Sequence, residues 1–223
     1  MRGKHLAKMQ GVLLLYRKLP KYPRVCKRAF DWLCRRNQGQ GNGKENGVQT
    51  MAWLECFYPD EYLDSAYEID YEGLYRQGYR GVIFDIDNTL VPHGAPADVR
   101  SIALFEKLQG IGLESMLLSN NKEPRVKMFN DKVHSHYIYK AGKPSTRSYQ
   151  KAMERMGTDA STTFFVGDQL FTDVWGAKRA GIRTFLVKPI HPKEEIQIVL
   201  KRRLEWIVLF FYKRSKGKYS DLR

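Results

Sequence analysis

Apolar and polar positions divide the 223-residue chain into regimes of different rhythm. Over residues 5–36 small apolar groups alternate with basic residues: Leu13, Leu14, Leu15, Tyr16 and Leu19, then Val25, Ala29, Phe30, Trp32 and Leu33. Pro20 and Pro23 break this stretch, which predicts two short amphipathic helices suited to a membrane surface or to the protein body. Residues 37–47 are almost wholly polar and rich in Gly and Asn. Such a composition buries too little to order itself and predicts a flexible linker. Met51 opens a segment of different character, with Trp53, Leu54, Phe57, Tyr58, Tyr62 and Leu63. Residues 1–50 are then either a loosely tethered extension or a stretch preceding the true start of translation at Met51.

The pattern becomes regular from residue 79. The apolar run 82–84 predicts a buried strand, and further strands are expected over 114–118, 136–139, 163–166 and 183–187. Residues 97–109 carry Val99, Ile102, Phe105 and Leu108 at helical spacing, with Gly110 as the expected stop. Helices are also expected over 124–131, over 145–156 and over 173–180. Ser145 would cap the second, which places Tyr149, Ala152, Met153 and Met156 on one face; Gly181 would end the third. Strands alternating with helices predict an α/β fold, a parallel sheet with helices on both faces. Beyond it, residues 194–213 bring Ile196, Val199, Leu200, Leu204, Ile207, Val208 and Phe211 near one helical face. Lys201, Arg202, Arg203, Lys213 and Arg214 flank that face, with Trp206 among them. A basic amphipathic helix is expected there, packed on the body, lying in a headgroup layer, or both. The predicted organisation is a basic extension over 1–50, a globular domain over 51–190 and a basic helical tail over 191–223.

Charge sharpens this division. The net charge of +14 is confined to the ends. Residues 1–50 hold 12 Lys and Arg against 2 Asp and Glu, residues 51–187 hold 16 against 18, and residues 188–223 hold 10 against 4. A nearly neutral body with two basic ends suits an anionic surface, either lipid headgroups or nucleic acid. Neither end shows a nucleic-acid-binding motif, which disfavours that partner. Cys26, Cys34 and Cys56 form no close pair, so neither a disulfide framework nor a zinc site is expected, and a reducing cytoplasm is. No apolar run approaches the roughly 20 residues that cross a bilayer, and the segment after Met1-Arg2-Gly3-Lys4 is too short for a signal peptide.

In parallel sheets ligands bind beyond the carboxyl ends of the strands. Here those ends carry Asp85 and Asp87, then Ser119 and Asn120, then Lys143, then Asp168, with Asp173 opening the next helix. Asp85 and Asp87, two residues apart on extended chain, should both overlook the rim unless the chain turns between them. Four acids in one place are too much negative charge to coexist unaided. A hard divalent cation with oxygen ligands relieves it, and Mg²⁺ fits, particularly with phosphate as co-ligand. One Asp can attack phosphorus and a second can act as acid and then base. Lys143 supplies a fixed cation, and the Ser119 hydroxyl can hold phosphate oxygens.

Asp85-Ile86-Asp87-Asn88-Thr89-Leu90, Leu118-Ser119-Asn120-Asn121, Lys143-Pro144 and Gly167-Asp168-Gln169-Leu170-Phe171-Thr172-Asp173 resemble, in order, the four motifs of the haloacid dehalogenase (HAD) superfamily. The resemblance covers about residues 79–187 and implies a three-layer Rossmann-like domain. It also implies Asp85 as nucleophile and Asp87 as general acid/base with its backbone carbonyl on Mg²⁺. Ser119 and Asn120 would serve phosphate, Lys143 would steady nucleophile and phosphate, and Asp168 and Asp173 would be the acidic metal motif. An acid at Asp87 is the phosphatase pattern. The intervals from Asp87 to Ser119 and from Ser119 to Lys143 leave no room for an inserted cap domain, so an exposed site is expected. The lead-in Tyr58-Pro59-Asp60-Glu61-Tyr62 and Tyr139-Lys140-Ala141-Gly142-Lys143-Pro144 are similar to the YqeG-like branch, which includes phosphatidylglycerophosphate phosphatases. That likeness implies an anionic phospholipid substrate and a peripheral position at the inner membrane face. A soluble phosphate ester and an RNA-associated binding protein are the competing expectations. Arg125 and Lys122 could meet a second phosphate, and His93 could touch substrate.

Overall fold

The expected alternation of strands and helices is present in the computed structural model, which describes residues 53–191, 205, 206 and 208–213. The two N-terminal helices, the linker and most of the predicted C-terminal helix lie outside the described residues. In chain order the elements are β1 (Glu61–Leu63), α1 (Tyr71–Arg76), β2 (Gly81–Phe84), α2 (Val99–Ile111), β3 (Glu114–Leu118), α3 (Glu123–Val133), β4 (His136–Ile138), α4 (Thr146–Met156), β5 (Thr163–Gly167), α5 (Trp175–Arg179) and β6 (Arg183–Val187). All strand pairs are parallel, in the order β1-β6-β5-β2-β3-β4.

Alternation along each strand builds two cores. Val82, Phe84, Leu117, Phe164, Val166 and Phe185 point to the face covered by α1, α2 and α3, where they meet Tyr71, Leu104, Phe105, Leu108 and Phe129. Ile83, Met116, Leu118 and Phe165 point the other way, onto Tyr149, Ala152, Met153 and Met156 of α4 and Ala177 of α5. The three layers follow from period-2 strands between amphipathic helices.

Three expectations need correction. The sheet has a sixth strand: β1 pairs with β6 in the register Glu61↔Phe185 to Leu63↔Val187. It is only three residues long and half-buried throughout, so it carries no periodicity of its own; its lateral partner lies over a hundred residues away. Gly110 does not stop α2 but lies inside it; Gly112, at φ 88°, ends it with its N–H bonded to Leu108 and Gln109 carbonyls. The buried stripe of α2 accordingly shifts to Ser101, Leu104, Phe105 and Leu108, and Val99 is 82% exposed. An Asp98–Ser101 capping box fixes the start of that helix and therefore its phase. The helix expected from residue 173 begins earlier, as a wide π turn over Leu170–Val174 that runs into α5.

The C-terminal residues that are described are helical and rest on this body. Val208 and Tyr212 are buried, and the Tyr212 ring meets Tyr58 edge-on at 5.5 Å. Packing of that helix, one of its two expected roles, is therefore observed in this part of it.

Candidate active site

Register brings the polar residues together. Phe84 pairs with Val166 on one side and with Leu117 on the other, so Asp85, Asp168 and Ser119 leave their strands within a residue or two of the same height. The Asp85 N–H still donates to Val166 at 2.9 Å, extending the ladder by one step. The chain then curls. Asn88 takes the left-handed conformation at φ 62°, which Asn tolerates better than most residues, and its N–H donates to Val91 at 2.8 Å. The two acids have different partners.

Asp85 lies in the buried half of the site. Lys143 Nζ donates to Asp85 Oδ1 at 2.7 Å and sits 2.7 Å from Asp173 Oδ1, all three side chains being almost wholly buried. The second contact is off the hydrogen-bond direction, since Asp173 Oδ1 has no hydrogen-bond donor. Asp173 Oδ2 accepts from the Gln169 N–H at 3.2 Å, and Asp168 Oδ1 accepts from Thr89 Oγ1 at 3.4 Å. One carboxylate oxygen from each of Asp85, Asp168 and Asp173 lies within 4.8 Å of the others. Gly167 makes this closeness achievable: a Cβ there would fall 2.5 Å from Asp173 Oδ2 and 2.7 Å from Phe165 Cε1. Burial, opposed by Lys143 and reinforced by Asp173, pushes Asp85 up to about 7. The same two carboxylates outweigh burial at Lys143 and hold its ammonium well above the ordinary lysine range. With all three ionised, the buried carboxylates against one ammonium leave an excess of two negative charges. An all-oxygen donor set of that charge, with a carboxylate oxygen lacking a donor, fits a hard divalent cation such as Mg²⁺.

Asp87 lies on the other half. Its Oδ1 accepts from Gly94 N–H at 2.7 Å and from Arg125 Nη2 and Nε at 2.9 and 3.2 Å; Oδ2 accepts from Asn121 Nδ2 at 2.6 Å. His93 Nδ1 stands 3.7 Å away. Its carboxylate is thus outside the three-acid cluster, which leaves the backbone carbonyl as the atom the resemblance assigns to the cation. Ser119 is buried, and its Oγ accepts from the Asn121 N–H at 3.2 Å, so its own hydrogen remains to be donated. Asn120 faces Lys143: its Oδ1 accepts from Lys143 N–H at 2.8 Å and its Nδ2 donates to Lys143 carbonyl at 3.4 Å. These two bonds hold the Lys143 backbone in place.

Sequence pattern gives Asn121 no task of its own and offers Arg125 only to a second phosphate; in the structure both clasp Asp87. Arg125 is reachable because α3 starts immediately after the Ser119 loop, which puts its first turn over the rim. Position in a helix's first turn beyond a strand end was the available signal.

Comparison with known proteins agrees with this geometry. A HAD-hydrolase-like family model matches residues 140–195. The chain is 36% identical over 160 residues to the probable phosphatase YqeG of Bacillus subtilis, covering 71% of this chain and 93% of that protein. It is 30% identical over 164 residues to phosphatidylglycerophosphate phosphatase 1 of Arabidopsis thaliana, covering 69% of this chain and 47% of that one. A phosphatidylglycerophosphate phosphatase 1 of Chlamydomonas reinhardtii is 28% identical over 174 residues, covering 72% and 63%.

Proposed function

Because the chain belongs to the HAD phosphatases, in the company of YqeG, we propose that it hydrolyses the terminal phosphate of phosphatidylglycerophosphate through an aspartyl-phosphate on Asp85. The observation that carries the chemistry is Lys143 lodged between Asp85 and Asp173, with Asp168 alongside. The lipid part rests on the two plant and algal relatives and on the basic ends of the chain.

Asp85 attacks phosphorus, and the new phosphorus–oxygen bond forms as the ester bond breaks. Asp87 gives its proton to the departing alkoxide oxygen. It then takes a proton from water, which displaces Asp85 from phosphorus and releases inorganic phosphate. Lys143 opposes the charge that moves onto the phosphoryl oxygens, and the Ser119 hydroxyl donates to one of them. Asp85, Asp168 and Asp173 would hold Mg²⁺, which supplies neutralising charge to nucleophile and phosphoryl group. Arg125 and Asn121 keep the Asp87 carboxylate in one place. Among the described residues no helix is long and apolar enough to cross a membrane.

The test is phosphate release from phosphatidylglycerophosphate, other anionic phospholipids and soluble phosphate esters, each with and without Mg²⁺. The expected result is Mg²⁺-dependent release with the lipid preferred. Preference for a soluble ester would overturn the lipid assignment and leave the phosphatase chemistry standing.

A further inference from the structure

The described C-terminal helical residues have two faces of opposite character. Glu205, Val208 and Tyr212 are buried, and their spacing of three and four residues makes them one stripe. Glu205 Oε1 accepts from the Leu170 N–H at 2.9 Å, two residues beyond Asp168. The inner stripe is thereby fastened to the turn that carries the acidic motif. On the outer stripe, Trp206 is 67% exposed and Phe210 48% exposed, and their rings stack at 6.0 Å between centroids. Lys213, exposed, continues that stripe, with its ammonium 5.5 Å from the Tyr62 ring.

We propose that this outer stripe is the surface that seats the enzyme on an anionic phospholipid bilayer. A large stacked aromatic pair left in water is costly unless something covers it. Trp and Phe beside a lysine match the headgroup boundary, where an indole keeps its body in the apolar layer and its N–H wet. Charge selects the occupant: residues 188–223 carry 10 Lys and Arg against 4 Asp and Glu, which draws the stripe to anionic lipid. Trp206 follows directly on Glu205, so the seat lies beside the catalytic rim. A phosphate presented at the bilayer surface then reaches Asp85 without its lipid leaving the membrane. This deepens the lipid reading above and rests on it.

The experiment uses the full chain and vesicles of phosphatidylcholine with or without phosphatidylglycerol. Trp206→Ser combined with Phe210→Ser should lower partition to the anionic vesicles by about tenfold or more, with p-nitrophenyl phosphate hydrolysis unchanged. Brominated acyl chains should quench tryptophan emission in the wild type, and Trp206→Phe should remove that component, whatever residues 1–50 contribute. Absence of wild-type binding, or a quenching signal untouched by Trp206→Phe, would overturn the seat. So would a double variant that changes only the oligomeric mass, which would make the stripe a contact between copies. Hydrolysis of phosphatidylglycerophosphate dispersed in detergent reports on the substrate reading separately, because it needs no bilayer.

Discussion

Asp85 and Asp87 stand two residues apart on one strand end, yet they occupy opposite environments. Asp85 is buried against Lys143, Asp173 and Asp168, where carboxylates outnumber ammonium groups. Asp87 is buried among donors, with Arg125, Asn121 and the Gly94 N–H all directed at it. The first environment has excess negative charge and calls for a cation; the second is already satisfied within the protein. On the mechanism proposed, Asp85 as nucleophile must approach an anionic phosphate, which a cation-dependent setting permits. Asp87 as acid/base must keep one position through two opposite proton transfers, which fixed donors provide.

The comparison can be broken most directly at the acids themselves. Asp85→Asn should reduce turnover by about 10⁶-fold, the scale of a lost nucleophile, whereas Asp87→Asn should cost about 10²–10⁴-fold, the scale of general acid–base catalysis. Equal losses in steady-state assays would remove the distinction. Next in size is Lys143→Met, which leaves buried carboxylates without their counter-charge and should cost about 3–5 kcal/mol in urea unfolding. Mg²⁺ should restore part of that loss if the three acids hold it. Arg125→Met should cost less, about 1.5–3 kcal/mol, because Asn121 and Gly94 still hold Asp87, and Mg²⁺ should restore none of it. A Mg²⁺ response in both variants would merge the two halves of the site.

Gly167→Ala probes the acidic half alone. Its Cβ would meet Asp173 Oδ2 at 2.5 Å, and a cost of about 1–3 kcal/mol is expected from overpacking, with weaker Mg²⁺ stabilisation in thermal melts. A pH dependence of the metal-free protein tests Asp85 on its own. Asp85 is held up to about 7, above its unfolded value near 3.8, chiefly by burial. Its contribution to stability is therefore fully present below about pH 4 and is lost as pH rises through about 7. Asp85→Asn should flatten that part of the stability profile; an unchanged slope would place its origin elsewhere.

Much of the sheet was legible because apolar runs such as 82–84 and 163–166 are bounded by polar strand ends. The candidate site was legible because Asp85, Ser119, Lys143 and Asp168 recur where parallel strands finish. The three-residue strand β1 was not, since it is defined by hydrogen bonding to β6 and by no pattern of its own. Helical spacing fits both Val99 and Leu104 on the inner face of α2, and the Asp98–Ser101 box decides between them.

The sequence alone determined which residues would gather at the rim and that carboxylates would outnumber ammonium groups there, because strand alternation and βαβ connection leave few other arrangements. It also set the imbalance between a neutral body and basic ends. Only the tertiary structure decided which partner each acid receives. A carboxylate's neighbours come from strands and helices far apart in the chain: Lys143 and Asp173 for Asp85, Arg125 and Asn121 for Asp87. Their approach is fixed by sheet register and by the loops and helix starts that follow the other strands, which no local pattern encodes.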